Sequence, residues 1–244
     1  MIWLRRGSAV EKALLLFAAT VLGAAAPLVT AGCSDSIEVT DDAGTAASGT
    51  GGTGGKPPEP ETVTLHPDQP PLPGETECTV VITTGITNPK ASHLPLCTPV
   101  DYGTNPPSGG PHWSNWAAFK KYDIPVPRPM YVHNLEHGSV VMAYRCEEPC
   151  TDVVDFLGAA YDDFQADQLC VPTGILHRLI VTPDPGLDEP VAAAAWGATY
   201  VATCLDRDSL DEFLADHYAK GPENTCAGGL TIDGPDGGLN CDGG

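Results

Sequence analysis

Three histidines stand in two short strings: His112 in Ser108-Gly109-Gly110-Pro111-His112-Trp113, and His133 and His137 in Val132-His133-Asn134-Leu135-Glu136-His137-Gly138. Neutral imidazole is the commonest side-chain ligand for transition metals. Residues four apart share one side of a helix and also one side of a strand, so His133 and His137 point the same way in either geometry. Glu136 separates the two cases: on a helix it lies near the face of His133, on a strand it points away. His112, His133 and His137 are the expected metal ligands, with Glu136 as a fourth ligand or as the group that orients an imidazole. Nitrogen donors favour zinc or copper over magnesium or calcium, and Met130 and Met142 would draw the site toward copper if they face it. A metal-bound imidazole has its second ring nitrogen held by a carboxylate or a carbonyl, and Glu136 and Asp123 are the nearby carboxylates.

Two other readings compete with a metal-binding domain. His133-x-x-Glu136-His137 has the spelling of the inverted zinc-protease motif, in which both histidines bind zinc and the glutamate is a base. That motif needs a helix. Pro127, Pro129 and Val132 upstream, and Gly138 downstream, leave room for one helical turn at most. Alternatively, the histidines clasp a proline-rich loop whose backbone lacks ladder partners, in a non-catalytic module that binds an envelope protein. His177 and His217 read as isolated residues in or near the core, and His66 and His93 as loop residues. Trp113 and Trp116 read as loop packing. Asp233, Asp236, Asn240 and Asp242 offer oxygen ligands without the spacing of a calcium loop. The chain has no Ser-His-Asp string, phosphate-cradling loop or dinucleotide fingerprint.

The elements that would position these residues are short. A strand is predicted over Cys78 to Thr83, and mostly loop over Asn88 to Met130, where nine prolines remove backbone donors. Within that loop a short helix is expected from Ser114 to Tyr122, capped by Ser114. A strand follows at Ser139 to Arg145. An amphipathic helix capped by Thr151 follows from Thr151 to Phe164, with Val153, Phe156, Leu157, Ala160, Tyr161 and Phe164 on one face. Leu176 to Val181 is a strand, and Ala192 to Cys204 holds another, centred on Thr199 to Cys204. A last helix is capped by Asp208 and stopped at Gly221-Pro222. The order lacks the regular alternation of a parallel α/β protein. It predicts an α+β domain: a small, largely antiparallel sheet with two helices on one face, long proline-rich loops and disulfide support.

The N-terminus carries an address. Arg5 and Arg6 precede an apolar run from Ala13 to Ala26, and a small-residue segment ends at Cys33. This is the layout of a secretory signal peptide; Pro27 and the alanine-rich run argue against a spanning helix. Thr30-Ala31-Gly32-Cys33 resembles the lipobox of bacterial lipoproteins, which implies lipidation of Cys33 and a membrane anchor. Ser34 rather than Asp follows the cysteine, favouring the outer membrane. The organisation expected is a signal peptide over 1–32, a disordered Gly/Ser/Pro-rich linker over 33–73, a globular domain over 74–225 and a Gly/Asp-rich tail over 226–244. The whole chain has 12 basic and 32 acidic side chains. Residues 1–32 hold three of the former and one of the latter, so the processed chain carries a net charge of −22. Such a surface repels phosphate backbones and excludes nucleic acid as a partner. Eight further cysteines remain: Cys78, Cys97, Cys146, Cys150, Cys170, Cys204, Cys226 and Cys241. An even number in an exported chain reads as up to four disulfides. Cys146 with Cys150, and Cys226 with Cys241, are the plausible local pairs.

Asn105-Pro106-Pro107-Ser108-Gly109-Gly110-Pro111-His112, then Tyr122-Asp123-Ile124-Pro125, then Val132 through Val141, resembles the bacterial domain-of-unknown-function family 3105. The likeness continues at Ala195-Trp196-Gly197 and from Phe213 to Glu223, covering about residues 90 to 225. The resemblance implies an exported or envelope-associated domain and carries no activity with it.

Overall fold

The structure is a computed structural model that describes residues 59–146, 150–232, 239 and 241. The signal peptide, Cys33 and the first part of the linker expected from the sequence lie outside the described residues, as do Asp233, Asp236, Asn240 and Asp242.

Eight strands and three α-helices follow in chain order: β1 (Glu61–Leu65), β2 (Val80–Thr84), β3 (His93–Leu94), β4 (His112–Trp113), α1 (Arg128–Glu136), β5 (Val140–Tyr144), α2 (Thr151–Asp163), β6 (Leu179–Pro183), β7 (Val191–Ala195), β8 (Ala198–Ala202) and α3 (Arg207–His217). Six strands form one sheet in the order β1-β2-β8-β7-β5-β6. Every pairing is antiparallel except β5 with β6. That parallel pair needs a crossover, which α2 provides. The α+β reading holds, and α2 and α3 pack on one face as expected. Val140, Met142, Leu179, Val181, Ala193 and Tyr200 bury against Leu157, Leu210, Phe213 and Leu214. The alternate residues Val141, Ile180 and Ala194 face the other way, onto Trp113, Tyr131 and Leu135. This is the period-two alternation of a sheet covered on both sides.

Several local expectations change. β1 lies inside the stretch read as linker: Glu61–Leu65 pairs with β2 from Glu61↔Thr84 to Leu65↔Val80. The alanine-rich Val191–Ala195 is a strand in its own right, hairpinned to β8. Alanine is a poor strand former, but all five residues are buried and small side chains let both covering layers approach. No helix forms over Ser114 to Tyr122. The backbone there bonds to other segments: Tyr122 N–H donates to Val181 O, Val181 N–H to Lys120 O, and Ala118 N–H to Leu230 O. This segment covers the β6 edge, which would otherwise expose unpaired donors. The helix starts also shift. Cys150, not Thr151, is the N-cap of α2, and Asp206, not Asp208, caps α3 by accepting from Ser209 N–H.

The eight cysteines form four disulfides: Cys78–Cys204, Cys97–Cys241, Cys146–Cys150 and Cys170–Cys226. The expected Cys226–Cys241 pair is replaced. The C-terminal segment does not close on itself; Leu230 N–H donates to Trp116 O, and Ile232 is buried. It runs across the domain as a strap, which delivers the two cysteines to different partners. Four disulfides fit an oxidising compartment outside the cytoplasm. Among the described residues no helix is long and apolar enough to cross a membrane.

Candidate metal centre

The upstream prolines do not limit α1 to one turn. Pro127 is its N-cap residue and Pro129 falls in the first turn, where a missing N–H breaks no helical bond. His133 and Glu136, three apart, therefore share a helical face. The helix ends at Glu136. His137 is the C-cap, its N–H directed at the carbonyls of His133 and Leu135. Gly138 follows at φ +82°, the left-handed conformation that glycine supplies at a helix end. Gly221 packs flat on the same turn: a side chain there would run into the carbonyls of Leu135 and Glu136.

Buried Asn134 secures the helix sideways. Its amide donates to Ala117 O at 2.7 Å and its carbonyl accepts Ala117 N–H at 3.0 Å. This two-way bond holds the 116–118 backbone against α1. It sets the Trp116 ring on His133 and His137, with centroids 4.9 and 4.8 Å away.

His112 arrives on β4, and β4 pairs in parallel with β3, placing His93 directly opposite His112. One ligand atom from each of His93, His112, His133 and Glu136 lies within 4.8 Å of every other. The ring centroids of His93, His112 and His133 are 4.7 to 5.0 Å apart. Glu136 Oε2 is 3.0 Å from His112 Nε2 and 3.3 Å from His93 Nε2. A tetrahedral zinc site with arms of about 2.0 to 2.1 Å has edges of roughly 3.3 Å, so these two edges are already near that spacing. The group is able to hold a metal ion.

Proton placement follows from the neighbours. His112 Nδ1 is 2.8 Å from Gly110 O, and His133 Nδ1 is 2.7 Å from Trp113 O. A carbonyl only accepts, so both Nδ1 atoms carry the hydrogen, and in neutral rings both Nε2 atoms present lone pairs. Backbone carbonyls, not Asp123, thus orient the two rings. Buried His112 Nε2 has no hydrogen-bond partner although Glu136 Oε2 stands 3.0 Å away. A lone pair facing a carboxylate oxygen at that distance is unfavourable for the two groups alone, and a shared proton or a metal cation would relieve it. Burial pushes His133 down to about 4, reinforced by the neighbouring imidazoles and opposed by its bond to Trp113 O. It is neutral at pH 7, as a ligand must be.

Of the four residues expected at the site, His112, His133 and Glu136 come together. His137 stands beside them, its ring 4.6 Å from that of His133. Its Nδ1 is buried without a partner and its Nε2 is 3.6 Å from Glu223 Oε2. His93, read as a loop residue, takes the remaining place. Only the pairing of β3 with β4, two segments nineteen positions apart, brings it there; no local spacing announces it. Met142 lies under α2 and α3 on the opposite face, and Met130 packs with Val126 and Leu135. Asp167, Cys170 and Cys226 also cluster, but the two sulfurs are joined to each other as a disulfide and offer no thiolate.

No curated protein and no solved structure matches the chain. The sequence profile of a family described as protein of unknown function (DUF3105) matches residues 93–228, from His93 through the C-terminal strap and over every member of the histidine cluster. That match spans more than half of the 244 residues, and the chain belongs to this family.

Proposed function

We propose that the domain binds one transition-metal ion, zinc in preference to copper, through His93, His112, His133 and Glu136. The observation that carries this reading is the buried His112 Nε2, fixed as a lone-pair donor by Gly110 and aimed at a carboxylate without a hydrogen bond. Three imidazoles and one carboxylate are borderline donors that suit zinc or divalent copper. Neither methionine supplies evidence for the softer, copper-selective set. Glu136 stands among the ligands rather than behind them, which supports binding over the hydrolase reading, where it would act as a base.

Elemental analysis of the purified full chain tests this. About one zinc or copper per chain is expected, lost in His133→Ala. Metal-free protein whose thermal unfolding is unmoved by added Zn²⁺ or Cu²⁺ would leave the cluster as a clasp for the proline-rich loop.

The tether is proposed on sequence grounds: a lipid on Cys33 holds the domain at the cell envelope. Several acyl chains, at about 0.8 kcal/mol per buried CH₂, give stable anchoring. Cells fed a fatty-acid analogue should label the wild type and not Cys33→Ser; equal labelling would remove the idea.

A further inference from the structure

The four ligands are not held alike. His112 is fully buried, His133 is 3% exposed, and the Glu136 side chain is 8% exposed. Each imidazole of this inner group has its other nitrogen on a backbone carbonyl, and Glu136 rides on a helix clamped by Asn134. The His93 side chain is 52% exposed. It sits on a two-residue strand, and the bond from its Nε2 to Glu136 Oε2 is the one hydrogen bond its ring makes among the described residues. Its ring is stacked over that of His133 at 4.7 Å and 20°. It covers the group from the solvent side.

We propose that the bound ion is exchangeable cargo rather than a structural ion, and that His93 is the ligand through which it enters and leaves. This rests on the metal-binding reading above. Three pre-oriented ligands keep their positions while His93 rotates out, and an incoming nitrogen or oxygen donor takes the vacated coordination position. A structural zinc site differs in having four ligands buried and closed to such substitution. Two apolar clusters and four disulfides support the fold independently of any ion. The chain's net charge of −20 draws cations to its surface as a whole.

The test is zinc transfer to a chelator, followed by stopped-flow absorbance, from the full chain loaded with Zn²⁺ alone. The wild type should release zinc within minutes. His93→Ala should still bind about one zinc but release it more than about a hundred times faster, beyond the roughly 10–100-fold that loss of an outer orienting partner costs. Added imidazole should slow release from His93→Gly toward the wild-type rate, which restored packing elsewhere would not do. Unfolding of the metal-free His93→Ala protein should match the wild type. Zinc held by the wild type for hours, with His93→Ala releasing no faster, overturns the exchange role while leaving metal binding intact. Loss of binding in His93→Ala as complete as in His133→Ala also overturns it. A wild type that binds no zinc overturns the binding reading and this inference together.

Discussion

Two buried polar clusters meet at His137, and they are built on opposite terms. Its carbonyl belongs to the first. Buried Arg178 donates from Nη1 to that oxygen at 2.8 Å and to Asn224 Oδ1 at 2.6 Å, and from Nε and Nη2 to Asp167 Oδ2 at 3.2 and 2.8 Å. Tyr218 donates to the same carboxylate oxygen at 2.7 Å, and Leu169 N–H to the other at 2.9 Å. Its ring belongs to the second cluster, where His112 Nε2 and His137 Nδ1 are both buried without a partner. The first cluster is complete with protein atoms alone. The second is not. A buried network left partly satisfied is worse for stability than an apolar core, and the His112 ring belongs to a group whose ligand atoms are close enough to share one further partner. Arginine in a finished network points to architecture; imidazoles in an unfinished one point to a ligand.

The largest expected effect comes from breaking the finished cluster. Asp167→Ala leaves the Arg178 guanidinium buried and uncompensated, and should cost about 3 to 5 kcal/mol in urea unfolding. Burial alone would raise the Asp167 carboxyl, but bonds from Tyr218, Leu169 and Arg178 outweigh it and hold it below 3.8. A depressed carboxylate stabilises the fold above its unfolded value and loses that contribution as pH falls through the folded one. The wild type should therefore lose this share below pH 3.8, and Asp167→Ala should lack it. Zinc binding should survive the substitution, provided unfolding is kept below the midpoint. Equal damage to both properties would mean that the clusters are one unit.

Next in size is the strap. Cys97 lies four residues after His93 and is joined to Cys241 across 144 positions. Cys97→Ser with Cys241→Ser should cost about 2 to 4 kcal/mol, the usual range for a native disulfide. It should also speed zinc release, because the segment carrying His93 loses its anchor. Unchanged release would confine the strap's role to stability.

His112→Leu inverts the pattern. It removes a buried, unpartnered nitrogen but also the bond from Nδ1–H to Gly110 O, so metal-free stability should fall by no more than about 1 to 3 kcal/mol, while zinc binding disappears. A loss of more than about 3 kcal/mol, the upper cost of stranding a buried polar group, would place His112 among the architectural residues instead.

The sequence shows some of this division and hides the rest. Helix α2, strand β5 and the two-helix face follow from apolar periodicity, which is a local property. His133 and Glu136 are legible as a pair because both lie on one short segment. The extent of α1 is harder to read, since Pro127 and Pro129 suggest a break until their positions at the helix start are known. His93 is invisible for a different reason: its role is created by a two-residue parallel pairing, far too short to leave a periodic signal. The disulfide partners of Cys226 and Cys241 depend on the path of the strap over Trp116, which no spacing encodes.

The smallest effect concerns a third kind of buried polar group, outside both clusters. His177 is 1% exposed, with its ring edge-on to Tyr161 at 4.4 Å and Phe164 at 5.7 Å. Neither ring nitrogen makes a well-aligned hydrogen bond, although the backbone of Tyr161 and of His177 itself lies close enough to favour its protonated form weakly. Burial lowers its affinity for a proton below the ordinary value of 6.5, opposed in part by the backbone nearby and by Asp162 and Asp167. The unfolded chain takes up a proton near pH 6.5 and the folded chain resists, so stability falls as pH drops from that point toward the folded value. His177→Phe removes both the poorly bonded nitrogens and this titration. Its stability at pH 7.5 should equal the wild type or exceed it by about 1 kcal/mol, the net worth of sparing an unsatisfied polar group. Its decline in urea stability between pH 7 and pH 5 should be shallower, with zinc release untouched because His177 packs on Tyr161 and Phe164 and not on the proposed ligands. A variant that declines as steeply as the wild type would assign the acid sensitivity to the histidine cluster instead. Zinc saturation should then suppress it in the wild type, since a ligated imidazole no longer takes up a proton.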